Sequence, residues 1–340
     1  MERTTTIPVH TGSLTEQVSR DLAARPSTGD RVFFGGSTFS GVVVLAIMVG
    51  VGLFLTIEAL PAFRARGFSF FTTSQWEPNI GRFGVASVLG FTMLIAAVAV
   101  GIAVPLSLLT ALFITDVAPN WLRSTLVALV DLMAAVPSVV YGLWGASVLQ
   151  NHVVGVSQWL TTWFGWIPFF SVDGSDPGNP LANVTVYTTS TFIAGIVVAM
   201  MVMPIQCAVM REVFSQVPAG EREGAYALGA TRWGVIRTVS LPFGKGGIIG
   251  GTMLGLGRAL GETIAVVLIV SPRFDFTVHL LEQGSNSVSS LIALQFSEAS
   301  DFSLSALMAA GLTLFAITLA VNFVASGFIA RSRSGASSEA

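Results

Sequence analysis

Six long apolar stretches separated by polar loops set the pattern of this chain. They cover residues 39–60, 84–115, 124–149, 186–209, 247–270 and 304–329. A helix of about 20 apolar residues crosses the hydrocarbon core of a bilayer. The pattern therefore predicts an all-α membrane protein with six transmembrane helices. We expect one transmembrane domain over residues 38–330, flanked by tails at 1–37 and 331–340.

Several residues interrupt the apolar stretches. Pro105 predicts a kink in the second helix, and the run PSVVYGLWG places a proline and two glycines inside the third. Such residues are tolerated where neighbouring helices or water satisfy the freed backbone groups. In the following loop, three tryptophans recur at i, i+4 and i+7: Trp159, Trp163 and Trp166. Their shared face predicts a short helix in the membrane interface.

Two segments have a less regular pattern. The tail over residues 1–37 is rich in Thr, Ser and Arg and is expected to be partly disordered, with at most one short helix at 14–24. Residues 271–303 alternate apolar and polar stretches, which favours short, partly embedded helices.

Composition supports a membrane protein. Apolar residues make up 52% of the chain and charged residues 11%, whereas soluble domains carry about 25% charged residues. A net charge of −2 gives no indication of nucleic-acid binding. The single cysteine, Cys207, lies in an apolar stretch and is expected in the core. His10, His152 and His279 lie in separate polar segments without metal-ligand spacing, so the sequence predicts no metal site.

The distribution of basic residues predicts the orientation. Twelve of the 17 lysines and arginines lie in the two tails, the second loop and the fourth loop, and four lie in the other loops. Because basic residues gather on the cytoplasmic side, we expect both termini and the fourth loop, residues 211–246, to face the cytoplasm. The protein itself is expected in the cell membrane.

The fourth loop carries signals for two short helices. Glu221 and Glu223 follow Pro218 at the start of the first helix, where the helix dipole favours carboxylates. Gly229 supplies a break, and Leu241-Pro242 is expected to end the second helix. The pattern predicts a helix-turn-helix that projects into water and fits a groove of another subunit. An ordinary capped loop is the alternative.

The fifth apolar stretch contains a small-residue face. Gly247, Gly251 and Gly255 recur every four residues, which lets helices approach closely in lipid. Arg258 and Glu262 follow at i and i+4 and are expected to lie one above the other on that helix. Charges inside a membrane usually mark solute pathways. A structural ion pair is one interpretation; a pathway in which Arg258 meets an anion is the other.

These segments resemble a known family. Glu223, Gly224, Ala225, Gly229, Leu241 and Pro242 follow the spacing E-G-A-x3-G-x9-V-x-L-P. This spacing is similar to the coupling-loop motif of ABC importer permeases, E-A-A-x3-G-x9-I-x-L-P, with departures at Gly224 and Val239. The runs GGIIGGTMLGLGRALGET and PSVVYGLWG resemble those of the permease subunits of phosphate importers.

The resemblance implies a function and an assembly. It implies a permease that pairs with a second, related permease, sits on an ATPase dimer and receives phosphate from a binding protein. Arg258 and Glu262 would serve phosphate passage, and residues 221–242 would transmit ATPase motion. The chain's one Gly-Lys dipeptide, Gly244-Lys245, lacks the surrounding pattern of an ATP-binding loop. We therefore expect no enzyme and no cofactor on this chain, with ATP and magnesium bound by the partner ATPase.

Three alternatives stay open. A permease for another oxyanion, such as sulfate or molybdate, would share the basic pathway residue. A secondary transporter would work without an ATPase, against which the predicted coupling loop argues. A structural or sensory membrane protein would carry no flux, against which the intramembrane charges argue.

Overall fold

The computed structural model describes residues 27–173 and 184–333, with side chains up to residue 327. The chain divides into two compact units, Met1–Val51 and Gly52–Ala340. Helix α1, Thr28–Arg66, begins ten residues earlier than the predicted tail boundary, so residues 28–37 are helical and not part of an irregular tail. The predicted short helix at 14–24 lies outside the described residues, as does most of the C-terminal tail.

Four helices are long and apolar enough to cross a membrane. They are α1, α2 at Ala86–Leu112, α6 at Thr191–Ser215 and α12 at Asp301–Arg333. Each overlaps one predicted span. Helix α2 contains Pro105 and ends in a wider π turn, Phe113–Val117. The all-α membrane architecture is confirmed, apart from a two-stranded hairpin that pairs Trp76 with Phe83.

The third predicted span is not one straight helix. It is divided into α3, Asn120–Ala135, and α4, Ser138–Trp144. The directions of α3 and of the segment Ser138–Phe164, which includes α4, differ by 89°. Pro137 explains the break, because a proline restricts the preceding residue to extended backbone, and Val136 has ψ 128°. Helix α4 continues through a π turn into α5, Gln150–Phe164. Trp159 and Trp163 are exposed on α5, whereas Trp166 follows its end.

The fifth predicted span is also divided. Helix α9, Leu241–Gly261, ends before Glu262, and a separate short helix α10 covers Ile264–Ile269. A further helix, α11 at Val288–Gln295, confirms a short helix within 271–303. By length and composition the described part of the chain contains four spans, or five with the bent pair α3 and α4–α5. Six crossings stay a prediction.

Helix α6 forms the centre of the larger unit. Its most apolar window is 61% buried, against 33% for the windows of α2 and α12. Small and β-branched residues of α2 and α6 form the main core together with α9 and α10. Cys207 lies on α6 with its side chain buried, as expected. Since α6 leads directly into the fourth loop, that loop starts from the most buried helix of the fold.

Candidate coupling loop and substrate pathway

The fourth loop folds as two short helices around a glycine. Helix α7 covers Ala219–Ala227, and α8 covers Arg232–Val235. Gly229 between them has φ +83°, a conformation that side chains disfavour, and no atom of another residue would crowd a Cβ there. The Thr231 hydroxyl accepts a hydrogen bond from the amide of Gly234 at 3.2 Å and caps α8. Backbone geometry at Gly229 therefore sets the angle between the two helices.

The prediction that Leu241-Pro242 ends the second helix is wrong. Helix α8 continues through a π turn, Ile236–Ser240, directly into α9. Pro242 lies in the first turn of α9, where the amide hydrogen that proline lacks is least needed. The wide turn before it also changes the hydrogen-bond register, so the missing donor does not end the helix.

One surface of the loop is apolar and open. Leu228 is 91% exposed, and Tyr226 and Trp233 are also exposed. Glu221 and Glu223 are exposed on α7 as well. Exposed aromatic and aliphatic side chains clustered on a polar projection are typical of a protein interaction site. Ala225 is half-buried, and Gly224 has open space around it, so a Cβ fits at this departure from the family pattern.

An ion pair that the sequence did not single out connects α7 to α2. Arg222 Nη2 lies 3.2 Å from Asp116 Oδ1 and donates to the Phe214 carbonyl at 2.8 Å. The Asp116 side chain is 9% exposed, and its other oxygen accepts from the Thr115 hydroxyl. Neighbouring Arg123 donates to the Ile114 carbonyl and holds the same end of α2. The signal in the sequence is an aspartate at the end of an apolar stretch. No spacing rule predicts its partner Arg222, which lies 106 positions later.

The glycine face of α9 lies against α6. A Cβ on Gly247 would meet Val213, and one on Gly251 would meet the Gln206 carbonyl at 3.3 Å. A Cβ on Gly255 would meet the Gln206 amide and Val202 Cγ1, the latter at 2.6 Å. The side chain of Gln206 is fully buried and accepts a hydrogen bond from Ser107 of α2. These glycines therefore let three helices approach one another around one amide.

Arg258 and Glu262 do not stack as predicted. Because α9 ends at Gly261, Glu262 has extended backbone, with ψ 127°, and leaves the helical face that holds Arg258. The two side chains form no ion pair within 4.0 Å among the described residues. Glu262 is buried, and its Oε1 accepts from the Ala265 amide at 3.4 Å, in the first turn of α10. This contact joins the Glu262 carboxylate to the start of α10.

Arg258 instead borders a cavity between helices. The cavity has a volume of about 270 Å³ and is lined by Ile205, Met253, Leu254, Gly257, Arg258 and Asn322. Arg258 is exposed and takes part in no ion pair within the part of the chain that the structure describes. A guanidinium without an ion-pair partner beside a mostly apolar cavity favours an anion.

The two broken spans meet at their short helices, α4 and α10. A Cβ on Gly142 of α4 would lie 2.9 Å from the Ala265 Cα of α10, so the backbones of the two short helices are in close contact. The Tyr141 hydroxyl donates to the Met133 carbonyl at 2.9 Å and bridges the break at Pro137. The fold thus brings the run PSVVYGLWG next to the run that ends in Arg258 and Glu262.

Comparison with known families decides the class of the protein. The model of the family described as "Binding-protein-dependent transport system inner membrane component" matches residues 103–334. The match includes the coupling loop, the glycine face and the cavity. The chain belongs to this family. Its members are transport permeases.

Individual relatives of this permease family are similar over most of the chain. One is the phosphate transport system permease protein PstC of Pasteurella multocida, 39% identical over 287 residues, which cover 83% of this chain and 86% of the relative. Another is PstC 2 of Mycobacterium tuberculosis, 37% identical over 322 residues, 93% of this chain and 96% of the relative.

Solved structures agree on the fold. A chain of a bacterial alginate ABC transporter, crystallised with its periplasmic protein bound to an alginate pentasaccharide, gives a TM-score of 0.58 at 16% identity and covers 87% of this chain and 93% of its own. A second crystal structure of an alginate-importing ABC transporter gives 0.55 at 17% identity, with 89% and 96% covered. At these identities the likeness shows the ABC permease fold alone.

Proposed function

We propose that this chain is the permease subunit of an ATP-driven phosphate importer. The similarity to phosphate permeases, 39% identity over 83% of the chain, carries the proposal. Several such relatives match at 36–39% identity over most of the chain, and they do not favour a sulfate or molybdate permease. Arg258 beside the cavity supports an anion as the solute, since no carboxylate among the described residues forms an ion pair with it.

We infer the assembly from the similarity to phosphate permeases and from the exposed fourth loop. It would form the pathway with a second, PstA-like permease, receive phosphate from a PstS-like binding protein and sit on a dimer of PstB-like ATPases. The exposed side chains of Tyr226, Leu228 and Trp233 suit the groove of such an ATPase. ATP and magnesium would be bound by that partner, with no cofactor on this chain.

The proposed location is the cell membrane, inner or plasma, with several crossings. Both termini and the coupling loop would face the cytoplasm, following the basic-residue distribution. The loop must reach the compartment that supplies ATP, which supports the same orientation.

ATP-dependent uptake of radiolabelled phosphate tests the proposal. Reconstituted vesicles with ATP inside would contain this chain with its partner subunits and the binding protein outside, and excess sulfate or molybdate would compete. We expect uptake that requires ATP and resists both competitors. Uptake driven by an ion gradient without ATP would identify a secondary transporter, and strong competition by sulfate would identify another oxyanion.

Two substitutions separate the roles of Arg258 and Glu262. Arg258→Gln should assemble normally and lose uptake, because no positive charge remains to stabilise the anion. Glu262→Gln keeps an oxygen that can accept from the Ala265 amide, so folding should be retained. If Arg258→Gln retains near-normal uptake per assembled complex, Arg258 does not serve the pathway.

A further inference from the structure

Two loops meet at the N-terminal end of α6, the end opposite the coupling loop. One loop ends its described part at Asp173, and the other carries His279 and Glu282. His279 Nδ1 lies 3.0 Å from Glu282 Oε2 and 3.9 Å from Asp173 Oδ2. One ligand atom from each of the three residues lies within 4.8 Å of the other two. The expectation of no metal site rested on sequence spacing, which cannot show ligands that come from two loops.

The backbone fixes this arrangement. The Leu280 amide donates to the Phe169 carbonyl at 2.9 Å, and the Gln283 amide donates to the Val186 carbonyl at 2.7 Å. Leu281 between them is fully buried. His279 and Glu282 therefore flank a segment whose backbone is held by hydrogen bonds, so the positions of their Cα atoms are fixed.

The surroundings leave one carboxylate oxygen of Glu282 available. Arg273 Nη1 binds Oε1 at 2.7 Å, while Oε2 faces His279. Carboxylates that bind metals are commonly held in this way through their second oxygen. The side chains of His279 and Glu282 are 18% and 14% exposed, and that of Asp173 is 81% exposed. The group thus has two fixed members and one accessible member.

We propose that Asp173, His279 and Glu282 bind a divalent transition metal ion of the zinc class. An imidazole nitrogen with two carboxylate oxygens suits Zn²⁺ better than Ca²⁺ or Mg²⁺, which take oxygen ligands. Three protein ligands leave a fourth position for water. The ion separates His279 Nδ1 from Glu282 Oε2, and the imidazole carries its proton on Nε2. Because the ligands come from two loops, the bound ion joins those loops.

Metal titration of the purified full chain tests this site. The chain, with any affinity tag removed, is treated with chelator and titrated with Zn²⁺ by calorimetry. We expect one saturable site, and at least a tenfold loss of Zn²⁺ affinity in His279→Gln and in Glu282→Gln. His152→Gln is the matched control, since His152 is exposed on α5 and bonds the Val148 carbonyl. It should bind as the unchanged chain does.

A second variant keeps the test decisive if a loop variant fails to fold. Asp173 is exposed, so Asp173→Asn should fold normally and still lose affinity. Zn²⁺ should also raise the unfolding temperature of the unchanged chain and not that of Asp173→Asn, because a ligand bound to the folded state stabilises it. Unchanged Zn²⁺ binding in both His279→Gln and Asp173→Asn, or no saturable binding at all, would overturn the proposal.

Discussion

Replacing Gly255 by alanine should destabilise the contact between α6 and α9. The added Cβ would meet Val202 Cγ1 at 2.6 Å and Gln206 Cδ at 2.7 Å, whereas carbon atoms in good contact lie about 3.5–4.0 Å apart. Gln206 is fully buried and held by Ser107, so its side chain has no open space to enter. Either the amide rotates away or the helices separate.

Both responses lower the free energy of unfolding. Overpacking of a filled core typically costs about 1–3 kcal/mol, and loss of the bond between Gln206 and Ser107 adds about 1 kcal/mol. We therefore expect Gly255→Ala to lose about 2–4 kcal/mol, a decrease of roughly 30- to 1,000-fold in the ratio of folded to unfolded protein. Gly251→Ala should cost less, because its nearest neighbours would lie at 3.3–3.5 Å.

Thermal unfolding in detergent at one fixed heating rate measures the difference. Gly246→Ala is the matched control, since this glycine of α9 has no neighbour within 4 Å of a built Cβ. Alanine there should be neutral or gain up to about 1 kcal/mol from helix propensity. Adding Gln206→Ala to Gly255→Ala should restore part of the loss, leaving the contact with Val202. Equal unfolding temperatures for Gly255→Ala and Gly246→Ala would refute the reasoning.

Three further predictions concern the fourth loop and two ion pairs, Arg222 with Asp116 and Arg211 with Asp131. Gly229→Leu should lose phosphate uptake at equal membrane abundance, since φ +83° costs a side chain about 1–2 kcal/mol. Gly224→Ala is the control and should keep uptake. Normal uptake in both variants would contradict a role for the turn at Gly229 in transport. Arg222→Ala breaks the partly buried pair with Asp116 and should reduce phosphate uptake more than it reduces ATP hydrolysis by the complex. A double-mutant cycle of the free energy of unfolding with Asp116→Asn should show coupling of about 0.5–3 kcal/mol. Asp131→Asn should keep most uptake, because its pair with Arg211 is 3.8 Å long and Asp131 is 56% exposed; complete loss with normal assembly would contradict this.

Hydrophobic pattern and local signals predicted much of the fold. Long apolar runs predicted α1, α2, α6 and α12, and glycine predicted the turn at residue 229. The divided spans were not predicted, because long apolar stretches lie on both sides of each break. Pro137 alone does not predict the break, because a proline is tolerated in a continuous membrane helix where neighbours satisfy the freed backbone groups. At Glu262 the break depends on a carboxylate that caps the next helix, a contact that hydropathy does not report.

The remaining differences between the predicted and the observed site come from contacts between segments that are far apart in the chain. The i, i+4 spacing of Arg258 and Glu262 predicts a neighbouring pair only if the helix continues through both residues. Arg222 with Asp116, and His279 with Asp173, join loops that are far apart in the chain. Residue types in these loops were visible in the sequence, but their pairing depends on how α2 and α6 pack.

The uninterrupted helical path from Arg232 to Gly261 has a mechanical consequence. At 1.5 Å per residue, the 26 steps from Arg232 to Arg258 span about 40 Å. With no hinge at Pro242, a rotation of about 5° at the loop end would displace the far end by about 3–4 Å, on the scale of one hydrogen-bond length. On the proposed function, a small movement of the attached ATPase at the loop end would be enough to move the Arg258 guanidinium, at the far end of α9, away from a bound anion.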